Sequence, residues 1–159
     1  MSGERQPTVV GPAGGATIEG PVGGPLTFKV RGEQTGGVLT AFENVIPPGQ
    51  GPPLHSHENE DESWYVLAGE LDFRLDEEIH RAPAGSFVFV PRGSPHCFVN
   101  VGREPARILV LFTPSGMERF FEGTAELPPG PMDTDAHRAL ARDCGMEILG
   151  PPLAISDPL

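Results

Sequence analysis

From Leu26 onward the chain reads as short apolar runs separated by turn-forming residues. LTFKV, GVLTAFENVI, SWYVLAGELDFRL, SFVFV, HCFVNV and ARILVLF are rich in Val, Leu, Phe and Ile, and PPGQGPP, RAPAG, PRGSP and VGREP punctuate them. Such runs suit strands better than helices, and so many at close spacing predict an antiparallel sandwich or barrel. Residues 1–25 are dominated by Gly, Pro and small side chains, and are read as a loosely ordered arm with one early strand near Thr8–Val10. After Pro114 the texture changes again. SGMERFFEG predicts a short helix capped by Ser115, and TDAHRALARDCG predicts a second, opened by Thr134 and stopped by Gly145. The tail GPPLAISDPL is too rich in proline to be helical. The expected organisation is an arm (1–25), a barrel (26–113) and a helical extension packing on it (114–159).

Composition supports this picture. With 159 residues the chain has the size of one domain, and its 21 glycines and 19 prolines suit tight turns far better than a helical bundle. The formal charge of -11 argues against nucleic acid and anionic membrane surfaces as partners. The opening MSGERQPTVV has no apolar leader core, and no run reaches the roughly 20 apolar residues of a membrane span. Cys97 and Cys144 lie far apart and are read as free thiols. Together these features lead to the expectation of a cytoplasmic protein.

The chemistry concentrates in two stretches. The first runs Gly49-QGPPL-His55-Ser-His57-ENED-Glu62-SWYVLA-Gly69. On a strand, alternate side chains share a face, so His55 and His57 project together, and a following strand can bring Glu62 to the same interior. The second runs Gly85-SFVFV-Pro91-Arg-Gly93-SP-His96-CFV-Asn100, in which a Pro/Gly turn ends one strand and His96 opens the next. Three imidazoles and one carboxylate form a mixed nitrogen and oxygen donor set. It suits one divalent transition metal (Fe, Mn, Ni, Co or Zn) rather than calcium or magnesium. Four protein donors leave one or two exchangeable positions on a five- or six-coordinate ion, which is an arrangement for catalysis.

Strand parity also proposes the surroundings. Trp64 shares a face with Glu62, and Phe98 shares one with His96. Both are expected to line an aromatic cavity, with Phe42 or Leu39 contributing from the preceding strand. Cys97 points away from the donor face. Asn100 is assigned no chemistry. His80, in the charged loop DEEIHR, is expected at the surface, and His137, in the second helix, at the surface or in a capping role. Arg92 and Arg119 are read as surface ion-pair residues.

Together the two stretches resemble the two motifs of the cupin superfamily, G(X)5HXH(X)3-4E(X)6G and G(X)5PXG(X)2H(X)3N, at every specified position. The fifteen residues between Gly69 and Gly85 are similar to the short spacing of compact microbial cupins. The resemblance implies an all-β fold, the double-stranded β-helix or jelly-roll barrel, with one or two short C-terminal helices. It implies His55, His57, Glu62 and His96 as metal ligands. The donor set further resembles that of quercetinase-type proteins. That likeness implies a metal-dependent dioxygenase acting on an aromatic or enol-bearing small molecule, with dioxygen as co-substrate and Glu62 as both ligand and proton acceptor. The alternative is a non-oxidative cyclase or isomerase of polyketide-like tailoring, and a third reading is a cupin that binds a ligand without turnover. Single-domain cupins commonly dimerise, so a homodimer is the expected assembly.

Overall fold

A computed structural model describes residues 5–154. Eleven strands and three short helices follow one another along this part of the chain. They are β1 (Ala16–Glu19), β2 (Pro25–Val30), α1 (Gly32–Thr35), β3 (Thr40–Ile46), β4 (Pro53–His57), β5 (Asp61–Ala68), β6 (Glu70–Leu75), β7 (Glu78–Pro83), β8 (Phe87–Val90), β9 (His96–Asn100), β10 (Ala106–Thr113), α2 (Glu118–Ala125), α3 (Asp135–Asp143) and β11 (Met146–Pro152). One sheet has the order β1-β2-β3-β10-β5-β8 and the other β11-β4-β9-β6-β7, with every pairing antiparallel. From β4 to β10 the strands alternate between the sheets, apart from the β6–β7 hairpin within the second, in the manner of a double-stranded β-helix, the fold expected from the sequence.

The core lies between the sheets because inward positions alternate with outward ones. On β5 the buried residues are Glu62, Trp64 and Val66, and on β10 they are Ala106, Ile108, Val110 and Phe112. Register then stacks these residues in rungs across the first sheet. Thr40, Phe112 and Glu62 form one rung, Phe42, Val110 and Trp64 the next, and Asn44, Ile108 and Val66 the third. On the outer face of the same sheet Tyr65, Leu67, Phe87 and Phe89 are exposed.

Several local expectations are corrected. Residues 8–10 form no strand; the first is β1, which pairs with β2 and so brings part of the arm into the sheet. Ser115 does not cap α2. The helix begins two residues later behind Met117, with no side-chain cap, and the Glu118 carboxylate accepts the N–H of Gly116 just before it at 2.5 Å. The last third is not purely helical either, because Met146–Pro152 pairs with β4. Met146 and Ile148 face inward, and the prolines are tolerated because β11 is an edge strand. At α3, Thr134 does act as the N-cap, accepting the His137 backbone N–H, and Gly145 follows the C-cap with φ 72.

Candidate metal centre

The ends of three strands converge on one point inside the barrel. His55 and His57 are alternate inward residues of β4, Glu62 lies at the start of β5, and His96 is the first residue of β9. All four are buried, and one donor atom from each lies within 4.8 Å of the others. Oε2 of Glu62 is 3.0 Å from Nε2 of His57 and 3.0 Å from Nε2 of His96. Two ligands held about 2.1 Å from one ion at a right angle lie about 3.0 Å apart, so these separations are those of neighbouring ligands.

The imidazoles are already oriented for ligation. Nδ1 of His55 is 2.7 Å from the Pro53 carbonyl, and Nδ1 of His96 is 2.9 Å from the Ser94 carbonyl. A carbonyl only accepts, so Nδ1 carries the hydrogen in both rings, and Nε2 is the atom each ring can offer to a metal. His57 is the third member, and neither of its ring nitrogens has a partner of hydrogen-bonding geometry among the described residues. A buried imidazole without partners is costly, and a metal ion at Nε2 would satisfy one of its two nitrogens. The residues present therefore fit a divalent transition metal.

Charge within the cluster is consistent with this fit. Burial, together with the nearby His96 and His57, pushes the His55 pKa well below its ordinary value, which keeps the ring neutral. Burial works against ionisation of Glu62 as well. The proximity of His57 and His96 outweighs it, and holds the carboxyl down to about 2. Burial also disfavours the charged form of His96, yet its hydrogen bond to Glu62 raises its pKa overall.

The surrounding wall is apolar. A cavity of about 40 Å³ adjoins the cluster, bordered by Phe42, Trp64, Phe98, Phe120, Phe121 and Met132 among others. Trp64 and His96 have ring centroids 5.4 Å apart, and His57 and Phe112 5.1 Å. Trp64 and Phe98, expected from parity, thus line the cavity, and of the two residues left open on the preceding strand Phe42 lines it and Leu39 does not. Both C-terminal helical segments contribute to closing it, through Phe120 and Phe121 of α2 and Met132 before α3. Pro21, Val22 and Met132 also border a much larger groove of about 750 Å³ on the outside. Among the described residues no Lys or Arg lines either space.

The remaining candidates lie elsewhere. His80 is exposed on β7, not in a loop, with Nε2 3.4 Å from Glu78. His137 is buried rather than at the surface, and its ring Nδ1 lies 2.6 Å from the Thr134 hydroxyl. Arg92 pairs with Asp61 at 3.2 Å. Asn100 is structural: its Nδ2 donates to the carbonyls of Ile46 and Glu104, and its Oδ1 accepts from the Gly102 N–H. Among the cavity residues not anticipated, one is polar. Asn44 is a buried polar side chain at an inward position of TAFENVI, and its parity with Phe42 and Ile46 was the available signal. Among the described residues no helix is long and apolar enough to cross a membrane.

Comparison with known proteins places this geometry in a wider setting. A family model described as the cupin domain matches residues 42–112. The tetracenomycin polyketide synthase protein TcmJ of Streptomyces glaucescens is 32% identical over 80 residues, covering 50% of this chain and 52% of that protein. An oxalate-binding protein of Thermotoga maritima is 33% identical over 66 residues, covering 42% and 54%. The structure of the polyketide cyclase RemF from Streptomyces resistomycificus superposes with a TM-score of 0.59 at 22% identity, over 68% of this chain and 80% of that one. The chain spans less than two thirds of the length of the curated relatives it matches.

Proposed function

From a double-stranded β-helix that carries a cupin domain over residues 42–112, we propose a metal-dependent tailoring enzyme that cyclises or isomerises a polyketide-like aromatic substrate without oxidation. The observation that carries this reading is the buried three-histidine, one-glutamate cluster opening into an aromatic cavity that no Lys or Arg lines among the described residues. The relative TcmJ, named for a polyketide synthase, supports the substrate class. A dicarboxylate such as oxalate would meet neither Lys nor Arg here, which weighs against carrying over the chemistry of the Thermotoga relative.

A divalent ion bound by these residues would supply Lewis acidity, drawing electron density from a substrate carbonyl or hydroxyl. His55, His57 and His96 would hold that ion through Nε2. Glu62 would complete the set through Oε2, and its Oε1, the oxygen not engaged by the histidines, would accept the proton released as the substrate enolises. Trp64, Phe98 and Phe42 orient the flat ring and exclude water from the reacting carbons.

The oxidative reading stays second, and one observation favours it: a donor set retaining Glu62 beside three histidines, as expected for a quercetinase-like dioxygenase acting with dioxygen. The test compares turnover of a β-polyketone or flavonol by the metal-loaded protein with and without oxygen. Equal rates under anaerobic conditions, with zinc supporting activity, are expected. Oxygen uptake stoichiometric with product would overturn the non-oxidative reading.

A further inference from the structure

Two buried polar groups line the cavity without belonging to the metal-ligand set, the Asn44 carboxamide and the indole N–H of Trp64. Neither Oδ1 of Asn44 nor Nε1 of Trp64 has a hydrogen-bond partner among the described residues. Buried polar atoms are almost always paired, so an unpaired acceptor and an unpaired donor facing one cavity call for a ligand. The sequence pattern agrees. Asn44 interrupts the inward file of β3 between Phe42 and Ile46, where an apolar side chain would pack at no cost.

Register locates the group. Asn44 stands in the third inward rung of the first sheet, whereas Glu62 stands in the first and Trp64 in the second. Two rungs are four residues, or roughly 13 Å along the strands at backbone level. Asn44 also lies beside the β1–β2 turn, because a Cβ built on Gly20 would sit 3.1 Å from its Oδ1. Gly20 leaves that oxygen uncovered. The same turn supplies Pro21 and Val22, which with Met132 separate the cavity from the outer groove. A cavity of about 40 Å³ holds a few waters at most, so a ring system enters only when this partition moves outward.

We propose that Asn44 is a specificity-determining residue of this cavity: its carboxamide oxygen accepts a hydrogen bond from a hydroxyl at the end of an uncharged polycyclic aromatic ligand remote from the metal cluster. The separation of rungs requires more than one ring. Among the described residues no Lys or Arg lines either space, and Glu19 and Asp133 stand in the groove, which disfavours anionic ligands. The Trp64 indole N–H is placed to donate to a carbonyl of the same ring system. The inference rests on the substrate class proposed above, and its test reads binding, not turnover.

The probes are a monohydroxyanthraquinone and its unsubstituted parent, titrated against purified protein. Binding is followed by quenching of Trp64, the only tryptophan. The wild type is expected to prefer the hydroxylated ring by about tenfold. In Asn44→Leu and Asn44→Ala that preference falls to near unity while affinity for the parent is retained. Asn44→Leu is expected to melt no lower than the wild type, because it removes an unsatisfied buried group. A wild type without preference, variants that keep it, or an Asn44→Leu protein of clearly lower melting temperature would each overturn the assignment. If the preference behaves as expected while no metal supports turnover, the binding role of Asn44 stands and the proposed cyclisation falls.

Discussion

His55 of β4 and His96 of β9 face each other on one antiparallel rung, with ring centroids 4.3 Å apart. Each ring donates Nδ1–H to the carbonyl two residues earlier in its own strand or turn, at Pro53 and Ser94. The same local device, used twice, aims both Nε2 atoms at one point before any metal arrives. Elemental analysis of the purified protein should therefore find about one divalent transition metal per chain. His96→Ala should fall well below that stoichiometry, and chelation of the wild type should lower its melting temperature, since a ligand bound only to the native state stabilises it.

Glu62 has separable roles as ligand and as proton acceptor. Glu62→Gln keeps the volume and one donor oxygen but takes up no proton. Turnover should drop by roughly 10²–10⁴-fold while much of the metal is retained. Parallel rate and metal measurements on one preparation check this. Loss of metal in proportion to loss of rate would leave Glu62 as a ligand alone.

Val22 and Met132 stand between the groove and the cavity. Val22→Phe should raise KM for a multi-ring substrate several-fold with little change in kcat, since it obstructs entry and not chemistry. Steady-state kinetics on large and small substrates distinguish this from a general loss of fold, which would depress both parameters for both.

Asn100 is fully buried and makes three hydrogen bonds that tie β9 to Ile46, Gly102 and Glu104. Asn100→Ala leaves those backbone groups unpaired and should cost about 3 kcal/mol in denaturant unfolding. Metal stoichiometry in the surviving folded fraction should not change.

Glu118 joins three elements. Oε2 accepts from the Gly32 N–H at 2.8 Å and from the Thr40 hydroxyl at 2.7 Å, while Oε1 accepts from Gly116. Burial pushes its pKa up, but these hydrogen bonds outweigh it and hold the carboxyl below its ordinary 4.5. A depressed folded pKa contributes stability that is present above 4.5 and lost as pH falls through the lower folded value. The melting temperature should thus decline on acidification below that point. Glu118→Gln should show a shallower decline and a lower plateau near neutrality.

The sequence by itself determined the strand-rich fold and the positions of the four donor residues. Both are local matters of period-two alternation, turn chemistry and motif spacing. The HxH pair on one strand face and the Pro/Gly turn before His96 required no knowledge of what packs across them. Trp64 and Phe98 were legible through their parity with Glu62 and His96. Phe42 could not be separated from Leu39 until the β3–β10 register placed Phe42 opposite Val110.

Only the tertiary structure decided the rest. Met146–Pro152 became a strand because the free edge of β4 was there to pair with it, against the poor strand propensity of its prolines. Thr8–Val10 found no such edge and stayed irregular. The closure of the cavity by Phe120, Phe121, Met132 and Val22 joins residues from both ends of the chain. Asn44 faces the cavity unpaired because of rung order across three strands. Contacts between segments so distant in sequence carry no periodic signature. They exist only once the sheets have set the register, which is why the donors could be read from the chain and the pocket they serve could not.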